Sequence, residues 1–468
     1  MTLKFGFVFN RMTMIKGLIS IFLIASPSLL YGQDQWKNLI GKDLSNWTKM
    51  GGSADYKFND GVITGFSKLK TPNTFLTTKD RYADFVLEYE VYLDNQMNSG
   101  VQIRSNSDPN YRDGVVYGYQ VEIDPSDRRF SAGIYDEQRR MWLYPISRNP
   151  KAKYAFKVGD WNTFHVEAIG SSLNVWLNGI HCTRLVDDQT AEGFIGLQVH
   201  SIVKKELEGV EIKWRNIRIA TSNLEDYTWP KDPEVPQISY LINQLTEWEI
   251  SRGWRLLWDG KTTNGWKGAK LDGFPQSGWV IKDGTLSVLS TDRSESTGPG
   301  DIITEKTYSN FELEVEFKIT EGANSGIKYF VDPNLNKGEG PTIGSEYQIL
   351  DDKKHPDAKG GVKGNRTIAS LYDLIPADNL SVPNRGKQFK GVGRWNNGRI
   401  ISYNGKVEHW LNYEKTVEYD RFSQMFKSLV AYSKYADWEN FGQWPSGSIL
   451  LQDHGNEVSF RNIKIREL

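Results

Sequence analysis

The sequence says most things twice, in the same order, and this repetition limits the fold more than any other feature. A long alternating stretch led by phenylalanine occurs at Phe85 (FVLEYEVYL) and again at Phe311 (FELEVEFKI). Each runs on to Asn-Ser-Gly, at Asn98 and Asn324, and then to a stretch containing Tyr-Gln: VYGYQVEIDPSDRR at 116–129 and GSEYQILDDKKHPDA at 344–358. Tyr135-Asp136 matches Tyr372-Asp373, and Trp161-Asn162 matches Trp395-Asn396. Trp176-Leu177-Asn178 matches Trp410-Leu411-Asn412, and Gln198-Val199-His200 matches Gln452-Asp453-His454. Both halves close on Arg-Asn-Ile, at Arg215 and Arg461.

Apolar and charged residues alternating over nine positions predict a strand with one buried face. FNDGVITG and VIKDGTLSV carry Asp-Gly hairpin signals. Short strands at regular spacing without a βαβ pattern predict an all-β chain of two tandem antiparallel β-sandwich domains, each a jelly roll of two curved sheets. The expected boundaries are 33–221 and 253–468, joined by a linker over 222–252. Within it, Leu241, Leu245 and Trp248 predict a short helix over 238–250. An aromatic-rich insertion in the second half, 421–445, reads as either a lid over a site or a contact between domains.

The N-terminus carries Lys4, Arg11 and Lys16 ahead of an apolar run over 17–25, with small and polar residues up to Gly32. That order is that of a cleaved signal peptide, here 1–32, and the run is too short to span a bilayer. The expected location is periplasmic or secreted, without membrane insertion after cleavage and without a lipid-anchoring cysteine. Cys182 is the only cysteine, so internal disulfides are excluded and stability rests on the size of the core. With 57 basic and 58 acidic residues, long-range attraction to nucleic acid is absent, and none is expected as a partner. The 16 tryptophans suit a sandwich core, the default role for most of them, and also stacking on sugar rings; a small-molecule or oligosaccharide substrate is the expected partner.

Even spacing places Glu346, Gln348 and Asp352 on one face of an extended chain. Aligning the Tyr-Gln motifs sets Gly118, Gln120 and Asp124 against them, and sets Glu122 against Leu350, so each half keeps a glutamate on that face, displaced by four residues. His454 and His200 are natural proton shuttles. Lys328 shares a strand face with Asn324, as Gln102 and Arg104 do with Asn98, and a cation there is either a plain salt-bridge partner or a stabiliser of negative charge on a ligand. Glu346, Asp352 and His454 together are candidate ligands for a divalent metal ion. Tyr372, Asp373, Trp410, Asn412 and Gln452, with Tyr135, Asp136 and Gln198 in the first half, complete the candidate substrate contacts.

The second-half segments GANSGI, EYQILDD, HPDA, ASLYDLIPA, VEHWLNY, LQDHG and VSFRNIKIREL resemble the DUF1080 family, now named for 3-keto-disaccharide hydrolase activity. In the first half, YGYQVEIDP, AGIYDEQRRMWLYPI and GLQVHS resemble another branch of it. The resemblance implies a concanavalin A-like fold and action on glycosides already oxidised at C3. A C3 ketone acidifies the C2 hydrogen; a base removes it, the C1 substituent leaves by β-elimination, and water adds back. In that scheme His454, Glu346 and Lys328, with His200 and Glu122 in the first half, are the expected catalytic groups. Two other classes compete. One is a non-catalytic tandem lectin. The other is a retaining glucanase with Glu-x-Asp-x-x-Glu, which the stretch from Glu122 to Asp127 approaches but ends in aspartate after Pro125.

Overall fold

Alternation in the two Phe-led stretches seeds two hydrophobic cores. The Phe85–Tyr92 strand sends Phe85, Leu87, Tyr89 and Val91 into the first, where Val101, Ile103, Tyr119 and Val121 meet them from the opposing sheet. Phe311–Ile319 does the same with Phe311, Leu313, Val315 and Phe317, met by Ile327, Tyr329, Tyr347 and Ile349. The computed structural model describes residues 36–290, 300–332, 334–335 and 341–468. The expected signal peptide, 1–32, lies outside the described residues.

Among them, the first half builds sheets of nine and seven strands and the second half sheets of eight and five. The pairing is antiparallel apart from one short addition from the linker and an isolated bridge between Leu69 and Ile202. The chain is thus two β-sandwiches, and Trp36–Leu468 forms one compact unit. The repeat reaches the backbone. Arg104 and Phe330, just after the Asn-Ser-Gly segments, both have positive φ (45° and 54°) beside a break in strand register. Asn216 and Asn462, in the closing strands, match likewise at 52° and 50°.

Two expectations need correction. The linker is α-helical only over Glu247–Ser251, where Thr246 and Glu249 form a capping box, with a separate 3-10 turn at Leu224–Asp226. Ile238–Ser239 instead joins the nine-stranded sheet, parallel to Ile180–Val186. Asn243 breaks the helix between them. It sits at φ 51° and exchanges hydrogen bonds with Asn462, accepting from its backbone N–H at 2.9 Å. Second, Phe311–Ile319 is buried on both faces. Its charged face is covered by counterions: Arg466 donates to Glu312 (2.8 Å), Lys464 lies 3.2 Å from Glu314, and Arg461 donates to Glu316 (2.6 Å). Arg148, from the first half, stands 3.7 Å from Glu314. The charged stripe is the seam between the two sandwiches rather than a solvated surface.

Candidate active site

The five-stranded sheet of the second half carries the site. Its Asn324–Val331 and Ser345–Leu350 strands send Ile327, Tyr329, Tyr347 and Ile349 inward, so Asn324, Lys328, Glu346 and Gln348 occupy the opposite face. Register pairs Lys328 with Glu346 and Gly326 with Gln348. A methyl group on Gly326 would come within 2.4 Å of Glu346 Oε1, so the glycine makes room for that carboxylate. The Lys328 ammonium lies 3.9 Å from Glu346 Oε2 and donates to the Thr342 carbonyl at 3.1 Å. Gln348 donates to Asn324 Oδ1 at 3.4 Å, while its own Oε1 is buried with no protein partner.

This face floors a cleft of about 180 Å³. Asn324, Lys328, Glu346, Gln348, Tyr372, Gln452 and His454, scattered over the sequence, all line it. Gln452 is held beside Gly326 by its backbone: its N–H donates to the Gly326 carbonyl (3.0 Å), and its carbonyl accepts from Ser325 Oγ (2.8 Å). Tyr372 donates to Asp357 Oδ2 at 2.8 Å, and burial together with that carboxylate raises its pKa, so the phenol keeps its proton. His355 stands at the His454 side, ring centres 6.1 Å apart, and burial with the neighbouring imidazole lowers its pKa.

The other wall was not assigned in the sequence. Thr342, Lys434, Tyr435 and Trp438 line the cleft. The last three belong to the aromatic insertion, which therefore covers the site. Its Gln424–Ala431 helix packs Phe426 on Tyr419 (5.2 Å), Tyr435 stacks on Phe441 (4.0 Å), and the Lys434 ammonium lies 4.2 Å from the centre of the Tyr372 ring. The density of aromatic residues was the signal for a cover; nothing in the pattern marked Thr342.

Other predicted residues lie elsewhere. Asp352 follows the end of its strand and accepts from Lys387 (2.8 Å) and the Ile368 N–H (2.7 Å), outside the cleft lining. Asp373 holds Arg366 at 2.7 Å. Trp410 is on the eight-stranded sheet under Arg399, and Asn412 (φ 48°) ties a turn to Asn396. With Asp352 turned away, Glu346, Asp352 and His454 do not converge as metal ligands. Among the described residues no group of three or more His, Cys, Asp or Glu is placed to hold a metal ion. Glu346 is the one carboxylate among the described lining residues, whereas retaining glycoside hydrolysis needs two about 5 Å apart.

The first half carries an altered version. Gly100 faces Glu122 and Gln102 faces Gln120. Relative to Asn-Ser-Gly, Glu122 therefore takes the place of Gln348, and Gln120 that of Glu346. The Tyr-Gln strand has slid by two residues, so the glutamates of the two halves are displaced by two positions rather than the four inferred from motif alignment. Gln102 stands where the second half has Lys328. Glu122 accepts from Asn98 (2.5 Å) and Gln120 (2.9 Å), with Arg128 at 3.7 Å; burial outweighs Arg128 and raises its pKa to about 7. Gln198 is buried with neither amide atom partnered, and His200, its pKa lowered by burial, contacts the Ser201 carbonyl at 2.6 Å.

Several first-half candidates are structural in their contacts. Asp124 organises its own turn through Ser126 and Arg128, and Asp136 pairs with Arg139 and Arg140. Tyr135 meets Trp142 edge-on at 5.3 Å. Arg104 does not share the face of Asn98; after the register break it turns to Asp84 and to the carbonyls of Ala83 and Gly170.

A family model described as a 3-keto-alpha-glucoside-1,2-lyase-like domain matches residues 35–220 and again 253–466. The chain belongs to that family. A 3-keto-disaccharide hydrolase from Bacteroides thetaiotaomicron is 37% identical over 240 residues, covering 46% of this chain and 79% of the relative. Among solved structures, two Parabacteroides distasonis proteins provisionally called glycosyl hydrolases are 31% and 27% identical. They match 49% and 44% of this chain and all of their own, with TM-scores of 0.42 and 0.33. Family membership makes this chain a carbohydrate-active enzyme of the lyase and hydrolase kind with a sugar substrate. No helix among the described residues is long and apolar enough to cross a membrane.

Proposed function

We propose that the second-half cleft cleaves 3-keto-glycosides by elimination and hydration. The observation that carries this reading is the Lys328–Glu346 pair: a base and a cation, 3.9 Å apart, in a cleft with no second carboxylate among its described lining residues. Glu346 takes the C2 hydrogen as the C2–H electrons form the C1=C2 bond and the C1–O bond breaks. Lys328 holds the C3 oxygen, on which enolate charge develops. His454 protonates the leaving oxygen and then takes a proton from the water that enters in its place, whose oxygen adds to C1 while Glu346, its proton exchanged with that water, protonates C2. Tyr372, Gln348, Asn324 and Gln452 supply hydrogen bonds to sugar hydroxyls, and the Trp438 wall screens the site from solvent.

In the first half Gln102 replaces the lysine, which supports reading that face as sugar-holding without turnover. Each sandwich is read as a concanavalin A-like jelly roll, and the chain as exported after cleavage near Gly32. Product release from a 3-keto-glucoside, with the unoxidised glucoside as control, tests the assignment. Lys328→Met and Glu346→Gln should each abolish cleavage, while Glu122→Gln should retain it. Loss in Glu122→Gln alone would move the reaction to the first half. Cleavage of the unoxidised sugar would remove the mechanism.

A further inference from the structure

A second cavity, of about 190 Å³, lies at the seam between the sandwiches. Arg139 and Arg140 reach it from the first half, Tyr240 from the linker, and Lys390, Arg394 and Asn397 from the second half. Most charges there are answered. Arg461 donates to Glu316 (2.6 Å), and Arg139 and Arg140 pair with Asp136 (2.7 and 2.6 Å). Lys390 and Arg394 have no carboxylate within 4.0 Å among the described residues; Glu316, which also lines the cavity, and Asp136 act on Lys390 only from further off. Arg394 donates instead to the Arg139 carbonyl at 2.8 Å. The Lys390 ammonium lies 5.9 Å from the Tyr240 ring centre, and burial pushes its pKa down to about 8. Beside these cations, Asn397 is 6% exposed and its Oδ1 has no hydrogen-bond partner.

We infer that this seam cavity binds a small hydroxylated carboxylate of monosaccharide size, such as a uronic acid. An anion answers the half-buried Lys390, with the exposed Arg394 at the rim of the site, where a neutral sugar brings no charge partner. The orphaned Asn397 oxygen needs a donor, which an adjacent ring hydroxyl supplies; inorganic phosphate offers at most two hydroxyl protons and no ring to fill the cavity. The cavity volume limits the ligand to about one sugar ring. This site is separate from the cleft and stands or falls independently of the reaction proposed there.

Calorimetric titration of the full chain with glucuronate tests it, with glucose and inorganic phosphate as comparison probes. One glucuronate should bind per chain, at least tenfold more tightly than either comparison. Lys390→Met should weaken it tenfold or more, and so should Arg394→Gln, a change at an exposed side chain that carries the test if the lysine variant does not fold. Lys328→Met should leave glucuronate affinity unchanged. Equal binding of glucose or phosphate, loss in Lys328→Met, or unchanged affinity in Arg394→Gln would overturn the assignment.

Discussion

Lys328 and Glu346 face each other across adjacent antiparallel strands, ammonium and carboxylate 3.9 Å apart and both buried. Removing one member of a buried pair strands the other charge, at a cost of about 3–5 kcal/mol. Lys328→Met should therefore destabilise the chain by about 3 kcal/mol in urea unfolding. Adding Glu346→Gln should restore most of that loss without restoring activity. Additive losses in the double variant would show that the two side chains are not coupled.

Gly326→Ala places a methyl group 2.4 Å from the present position of Glu346 Oε1. The carboxylate must move, and a shift of about 1 Å in a reacting group costs on the order of a hundredfold in rate. The expected result is a kcat lower by about that factor, with KM and thermal midpoint nearly unchanged. A kcat within twofold of the parent would separate Glu346 from the chemistry.

Burial raises the Glu122 carboxyl to about 7, so the folded chain retains a proton that the unfolded chain releases from about pH 4.5 upward. A raised carboxyl pKa makes stability fall as pH climbs through this window, and the loss persists above pH 7. The full effect is on the order of 3 kcal/mol. Glu122→Gln should match the parent at pH 4 and exceed it at pH 8 in urea midpoints. An equal gap at both pH values would show that Glu122 ionises normally.

Lys464 ties linker to sheet at the seam, 2.5 Å from Glu249 and 3.2 Å from Glu314. Lys464→Met should cost about 3 kcal/mol. Lys37, whose pair with Asp80 at 2.8 Å is solvent-exposed, should cost under about 1 kcal/mol when changed to Met. Calorimetry on the two variants makes the comparison, and similar losses would remove the seam network as a stabilising element.

Much of the site was legible because alternation and repetition point to the same residues. Asn324, Lys328, Glu346 and Gln348 share a face by spacing alone, and the recurrence of Gln-x-His brought in Gln452 and His454. The strand slip was not legible. Tyr119-Gln120 and Tyr347-Gln348 look like equivalent motifs, but cross-strand partners depend on the loop between the strands, which no motif encodes. Glu312, Glu314 and Glu316 read as a solvated face because one strand's pattern cannot reveal counterions brought by another sandwich. Leu241, Leu245 and Trp248 imitate helix spacing, and the turn at Asn243 depends on Asn462, distant in sequence. Asp352 had the right parity, but its strand ends at Leu350.

The most direct test is the origin of the C2 hydrogen in the product. Cleavage of a 3-keto-glucoside in deuterium oxide, followed by mass spectrometry and proton NMR of the released 3-keto-glucose, reads it out. Free 3-keto-glucose incubated with the enzyme serves as the exchange control. Elimination and hydration through Glu346 predicts deuterium at C2, appearing with turnover and faster than in the control. Release of product with its original C2 hydrogen would contradict it and require direct displacement at C1.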